Sequence, residues 1–80
     1  MPLSVQQLVN RLTFRQLQVF LSVYQTASYS KAGEQLGLTQ PAVSSQIRQL
    51  EAAIDVPVFE YVGRKLYCTA AGESLAKSIH

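Results

Sequence analysis

Residues 38 to 51 read LTQPAVSSQIRQLE, and the place of the proline within them decides how the chain folds. Pro41 comes two residues after Thr39, whose hydroxyl can accept from an otherwise unpaired backbone N–H at the start of a helix. In a first turn the N–H that proline lacks has no helical partner to lose, so the pair predicts an abrupt helix start. Beyond it Val43, Ile47, Leu50 and Ile54 recur at i, i+4, i+7 and i+11, a spacing that buries one face. The outer side carries Gln40, Ala42, Ser44, Ser45, Gln46, Arg48 and Gln49, poor in charge and rich in short hydrogen-bonding groups.

Upstream, ASYSKAGEQLGLT (residues 27–39) predicts a short helix. Ser28 or Ser30 can cap it, Ala32 and Leu36 point inward, and Gly37 suits the left-handed conformation that ends helices. A short helix, a turn of about three residues containing glycine and a second helix make a helix-turn-helix, whose second helix lies in the DNA major groove. Glutamine pairs bidentately with adenine, serine donates to or accepts from any base, and an alanine methyl meets a thymine methyl. The competing reading is a solvated face of low charge, since helix-turn-helix geometry also occurs in proteins that bind no DNA.

Before this motif, TFRQLQVFLSVYQT (13–26) places Leu17, Phe20, Leu21 and Tyr24 on one helical face and Leu12, Gln16, Val19 and Val23 on a second. Two stripes predict a helix that touches two things, with Thr13 as cap or with Leu12 and the preceding VQQLVN extending it backwards. After the motif, VFEYVGRKLYCT (58–69) predicts a short β-hairpin with Gly63-Arg64-Lys65 between its two runs. An Arg-Lys pair projected from a loop suits a phosphate backbone or a minor groove; alone it would be an ordinary solvated tip, but beside a helix-turn-helix it is a wing. Thr69 then caps AAGESLAKSIH, where Leu75 and Ile79 are spaced i, i+4 and nothing stops the helix. The chain therefore reads as a piece of a longer protein whose last helix continues past His80.

Composition agrees. Eighty residues make one small domain, and 48% apolar content is enough for a folded globule. Seven Lys/Arg against five Asp/Glu leave a net charge of +2, compatible with a polyanionic partner. Cys68 is the sole cysteine, so no internal disulfide forms and a reducing compartment is expected. No apolar run approaches the length of a membrane span, and MPLSVQQLVNRL lacks the form of a secretory signal. The expectation is a soluble, intracellular, mainly α domain: a winged helix-turn-helix with a three-helix core, a hairpin wing and the start of a long helix. Residues 1–12 form an N-terminal extension, 13–68 the domain and 69–80 the start of that helix.

Enzymatic roles fit poorly. One cysteine and one terminal histidine, His80, make neither a zinc site nor a catalytic dyad, and Glu34, Glu51 and Glu60 show no acid/base pairing. The remaining competitor is a winged-helix module that docks a protein and binds no DNA.

In order along the chain, LQVF, SYSKAGEQL, TQPAVSSQIRQLE, VFE, GRK and TAAG resemble the N-terminal winged helix-turn-helix of LysR-type bacterial transcription regulators, from residue 13 to about 80. PAVSSQIRQLE and FEYVGRKLY are similar to the branch that controls carbon-fixation genes. The resemblance implies sequence-specific binding to double-stranded DNA at interrupted palindromes, as dimers or tetramers, in the bacterial cytoplasm and on the nucleoid. It implies that Gln40, Pro41, Ala42, Ser44 and Ser45 contact bases and nearby backbone, that Ser28 and Ser30 touch phosphate, and that Arg64 reaches the minor groove. Lys31, Arg48 and Lys65 are further candidates for phosphate contact. It also implies that a linker helix from residue 70 onward pairs two domains, with Val19, Val23, Leu75 and Ile79 in the dimer seam. The domain itself would hold no cofactor and no metal; a small-molecule co-inducer would bind a C-terminal domain outside this sequence.

Three positions depart from the family pattern. Tyr61 stands where the family has arginine, removing a charge. Asp55 stands where it has glycine, so the recognition helix must end without a left-handed glycine or tolerate aspartate there. Cys68 stands where it has leucine, and is expected to be a buried apolar residue rather than a redox sensor.

Overall fold

The computed structural model describes residues 12–79, ordered as three helices, a β-hairpin and a fourth helix. Helix α1 spans Phe14–Thr26. Its start is fixed by a capping box: Thr13 Oγ1 accepts from the Gln16 N–H at 3.0 Å, and Gln16 Oε1 accepts from the Thr13 N–H at 3.0 Å. Thr13 is therefore the cap. The expected extension, residues 1–12, lies outside the described residues except for Leu12, which at 9% exposure belongs to the core.

Helix α2 spans Tyr29–Leu36, and of its two candidate caps it uses Ser28, whose Oγ accepts from the Lys31 N–H at 3.1 Å. Gly37 ends it at φ 68°, in the left-handed region. The turn then closes on itself, the Leu38 N–H donating to the Gly33 carbonyl at 2.8 Å. A Cβ on Gly33 would stand 2.6 Å from the Leu38 carbonyl oxygen, so this tight turn requires a residue without a side chain at that place.

Helix α3 spans Gln40–Ile54 with Thr39 as cap and Pro41 in its first turn, as the sequence predicts. Val43, Ile47, Leu50 and Ile54 are its buried residues. Its far end settles what Asp55 does: the residue adopts φ 58°, ψ 36°, and its N–H donates to the Glu51 carbonyl. The left-handed cap survives without glycine, because aspartate tolerates this conformation better than most side chains.

Strands β1 (Phe59–Val62) and β2 (Lys65–Cys68) pair antiparallel with Phe59 opposite Cys68 and Val62 opposite Lys65. The connecting loop is Gly63-Arg64 alone, tighter than the three-residue tip expected, and Lys65 lies in the ladder. Gly63 takes φ 63° while Arg64 does not have a positive φ, the arrangement of a two-residue turn led by glycine. Helix α4 spans Ala70–Ser78; Thr69 caps it by accepting from the Gly72 N–H at 3.1 Å. The Ile79 N–H donates to the Ala76 carbonyl at 3.4 Å, and the expected continuation past His80 lies outside the described residues.

Val19, Phe20, Val23, Ala32, Val43, Leu50 and Val58 are fully buried, so the core lies where α1, α2 and α3 meet and extends to the residue before β1. Both stripes of α1 are engaged, as predicted, but unequally: Val19 and Val23 of the second stripe are completely buried, whereas Leu17 and Leu21 of the first are only half-buried. Of the residues expected in a dimer seam, Val19 and Val23 are fully buried in the core of the chain and Leu75 of α4 is 3% exposed. Of the four residues, only Ile79 keeps part of its surface open. Tyr24 Oη donating to Glu73 Oε2 at 2.8 Å adds a polar tie between α1 and α4.

Candidate nucleic-acid interface

The helix-turn-helix geometry gives α3 two opposed rows. Val43, Ile47, Leu50 and Ile54 face inward, and Pro41, Ser45, Arg48 and Ala52, at the same i, i+4, i+7, i+11 spacing, face outward. Pro41, Arg48 and Ala52 are exposed and Ser45 partly so. Ala42 and Gln49 flank this row on one side, Ser44 on the other, and Gln40 is exposed at the N-terminal tip. No side-chain hydrogen bond within the described residues engages Gln40, Ser44, Ser45 or Arg48, whereas the nearby Thr39, Ser28 and Glu51 are all used structurally.

Ser28 is half-buried and spends its hydroxyl on the cap, so it stands at the N-terminus of α2 with only part of its capacity left for an outside acceptor. Ser30 and Lys31 are exposed in the same first turn. There the free backbone N–H groups and the helix dipole favour an anion. Arg64 occupies the hairpin turn and Lys65 the first position of β2, both exposed. The structure thus presents three cationic or anion-favouring stations around α3: the start of α2, Arg48, and the hairpin tip.

Several features of the site were not legible in the sequence. Glu51 Oε2 accepts from the Val58 N–H at 2.7 Å and so ties α3 to the residue just before β1. Ser22 Oγ donates to Gln35 Oε1 at 2.7 Å, joining α1 to α2. Tyr29 and Phe59 meet edge to face at 6.4 Å, and Tyr29 and Tyr61 lie 6.3 Å apart with rings tilted by 55°. Burial pushes the Tyr29 phenol up to about 12, with Glu51 and Tyr61 adding to the shift and Arg48 opposing it, so the ring stands between α3 and the wing as a neutral group. Alternation of apolar residues could have flagged Phe59 and Tyr61 as one strand face; their partner on α2 could not have been named.

Cys68 is half-buried rather than fully buried as expected, and burial, with Glu73 nearby, raises its thiol to about 11. Among the described residues no cluster of three histidine, cysteine or acidic side chains could hold a metal. None of their helices is long and apolar enough to cross a membrane.

Comparison with known proteins agrees with this geometry. The family described as "Bacterial regulatory helix-turn-helix protein, lysR family" matches residues 14–73. A RuBisCO operon transcriptional regulator of Acidithiobacillus ferrooxidans is 43% identical over 72 residues, which is 90% of this chain and 23% of that regulator. The chain thus spans less than a quarter of that relative's length. A transcriptional regulator of the LysR family from Eggerthella lenta superposes with a TM-score of 0.83 at 40% identity, covering 85% of this chain and 97% of the other. The CbnR DBD–DNA complex superposes with a TM-score of 0.79 at 31% identity, over 84% of this chain and 77% of that one. These relatives are regulators, not enzymes. The fold is a winged helix-turn-helix, and the chain belongs to the LysR family of bacterial regulatory helix-turn-helix proteins.

Proposed function

We propose that the domain binds double-stranded DNA sequence-specifically, as the DNA-binding end of a LysR-type transcription regulator. Helix α3 enters the major groove, and the β1–β2 tip lies at the minor groove or backbone. The observation that carries this reading is the outer face of α3: Gln40, Ala42, Ser44 and Ser45 are short, uncharged and not fully buried at the end of the helix that enters the groove. The surrounding cations, Lys31, Arg48, Arg64 and Lys65, suit phosphates on either side.

Pairing into a homodimer on an interrupted palindrome, assembly into tetramers and capture of a small-molecule co-inducer by a further domain extend the same proposal to the longer protein. Action in the bacterial cytoplasm, on the nucleoid, belongs to it too. Similarity to a RuBisCO operon regulator supports a role at carbon-fixation genes. Among the expected seam residues Val19, Val23, Leu75 and Ile79, Ile79 keeps part of its surface open, which supports the end of α4 as part of the pairing surface.

A second reading, a module that docks a protein instead, is favoured by one observation. Val62 and Tyr67 are exposed apolar groups on the outward face of the hairpin. Salt dependence separates the two. A DNA-binding domain with about three or four phosphate contacts loses affinity with a log–log slope near 0.9 per contact. A titration showing a shallow slope and no preference for nucleic acid supports the docking module.

A further inference from the structure

The hairpin has one face turned to the helices and one turned away. Phe59 and Tyr61 of β1 share the inner face with their cross-strand partners Cys68 and Leu66, while Glu60, Val62, Lys65 and Tyr67 are all exposed on the other. At the base of the hairpin, Phe59 is buried and stacks on Phe20 at 5.3 Å, which anchors it in the core. Further out, Leu66 of β2 is half-buried. On β1, Tyr61 is 61% exposed and yet holds one ring contact, to Tyr29. Tyr29 is the first residue of α2, next to the Ser28 cap, and meets Phe59 edge-on. An aromatic column thus runs Phe20, Phe59, Tyr29, Tyr61 from the core to the surface, ending three residues before Arg64.

An isolated two-stranded hairpin is marginally stable and holds no fixed direction by itself. On the α2 side this one meets Tyr29 twice, through Phe59 at its base and through Tyr61 further out. We infer that Tyr61 is a positioning residue for the wing: its ring, seated on Tyr29, holds the Arg64 tip at a fixed angle to α2 and α3. Tyr61 needs no charge and no contact of its own with DNA for this. The inference rests on the DNA-binding reading for its binding consequence, but its structural consequence stands in the free protein.

The test compares Tyr61→Ala and Tyr61→Phe with the unaltered 80-residue chain, on a random-sequence duplex over a series of salt concentrations. Tyr61→Ala removes no charge, so a direct role for a neutral side chain leaves the salt slope alone. Positioning predicts that the slope falls by about 0.9 for each tip cation that loses its phosphate, with affinity reduced roughly tenfold at low salt. Tyr61→Phe keeps the ring and restores both. In the free protein, the backbone order parameters of Gly63 and Arg64 fall from near 0.85 toward about 0.6 in Tyr61→Ala and not in Tyr61→Phe. An unchanged slope, a Phe variant as impaired as Ala, or a tip as rigid as before would each overturn the inference. If the unaltered chain binds no duplex at any salt, the DNA-binding reading has failed instead. The order parameters alone then decide whether Tyr61 positions the wing.

Discussion

Glu51 Oε2 accepts a hydrogen bond from the Val58 N–H at 2.7 Å, joining the last turn of α3 to the residue that enters the wing. The two elements proposed to touch DNA are therefore held together by one carboxylate as well as by packing. Val58 is fully buried, so its N–H has no water to turn to if the acceptor is removed. Glu51→Ala should cost about 1–3 kcal/mol of stability in urea denaturation, and Glu51→Gln, which keeps an acceptor oxygen, clearly less. Equal stability of the Ala variant would show that this bond does not tie the wing to α3.

Gly33 gives a prediction whose sign opposes helix propensity. Within a helix, replacing glycine by alanine ordinarily stabilises by about 0.5–1 kcal/mol. Here the new Cβ would stand 2.6 Å from the Leu38 carbonyl oxygen, which belongs to the backbone of the turn and cannot swing aside as a side chain would. Gly33→Ala should therefore destabilise, by about 1–3 kcal/mol. A rise in melting temperature would mean that the turn is looser than described.

Cys68 should be a slow nucleophile. Its thiol is raised to about 11, first by burial and then by Glu73, so almost none is thiolate at neutral pH. The rate of alkylation by iodoacetamide should climb with a midpoint near 11 rather than near 9. Because the folded state holds the proton more tightly than the unfolded state, this group's stabilising contribution is complete below about 9 and is lost as pH rises from 9 toward 11. Cys68→Ala should flatten that part of the stability profile. Rapid labelling at neutral pH would contradict the burial.

The roles on the DNA side divide by kind of effect. Gln40→Ala should cost about 1–3 kcal/mol on the preferred site and relax the preference at one base pair. Loss of equal size on all sequences would remove Gln40 from the base readers. Arg64→Ala should weaken binding to every sequence and lower the salt slope by about 0.9. An unchanged slope would take the wing tip out of the interface.

Local signals carried the sequence reading a long way. Thr13, Thr39 and Thr69 cap their helices as their positions suggest, because capping depends on residues only two or three apart. The row Val43, Ile47, Leu50 and Ile54 was legible for the same reason, and it fixed which side of α3 faces out. What escaped is everything set by packing between distant segments. Nothing in the sequence marks Tyr24 as the donor to Glu73, or Glu51 as the acceptor for Val58. The burial of Val19 and Val23 within the chain could not be read either: an apolar stripe looks alike whether its own chain covers it or a second copy does. Asp55 shows a subtler limit, since a left-handed cap was required there and only the fold could say that aspartate would meet it.

The central claim is that the outer face of α3 reads base sequence, and selection from a pool of random duplexes at one stated salt concentration tests it most directly. Bound molecules are recovered and sequenced over successive rounds. The account predicts enrichment of a defined half-site, with an interrupted palindrome where two domains pair, and loss of one enriched base in Gln40→Ala. Binding that enriches no sequence would contradict it, leaving a domain that grips phosphates, and absence of binding even at low salt would favour the protein-docking module.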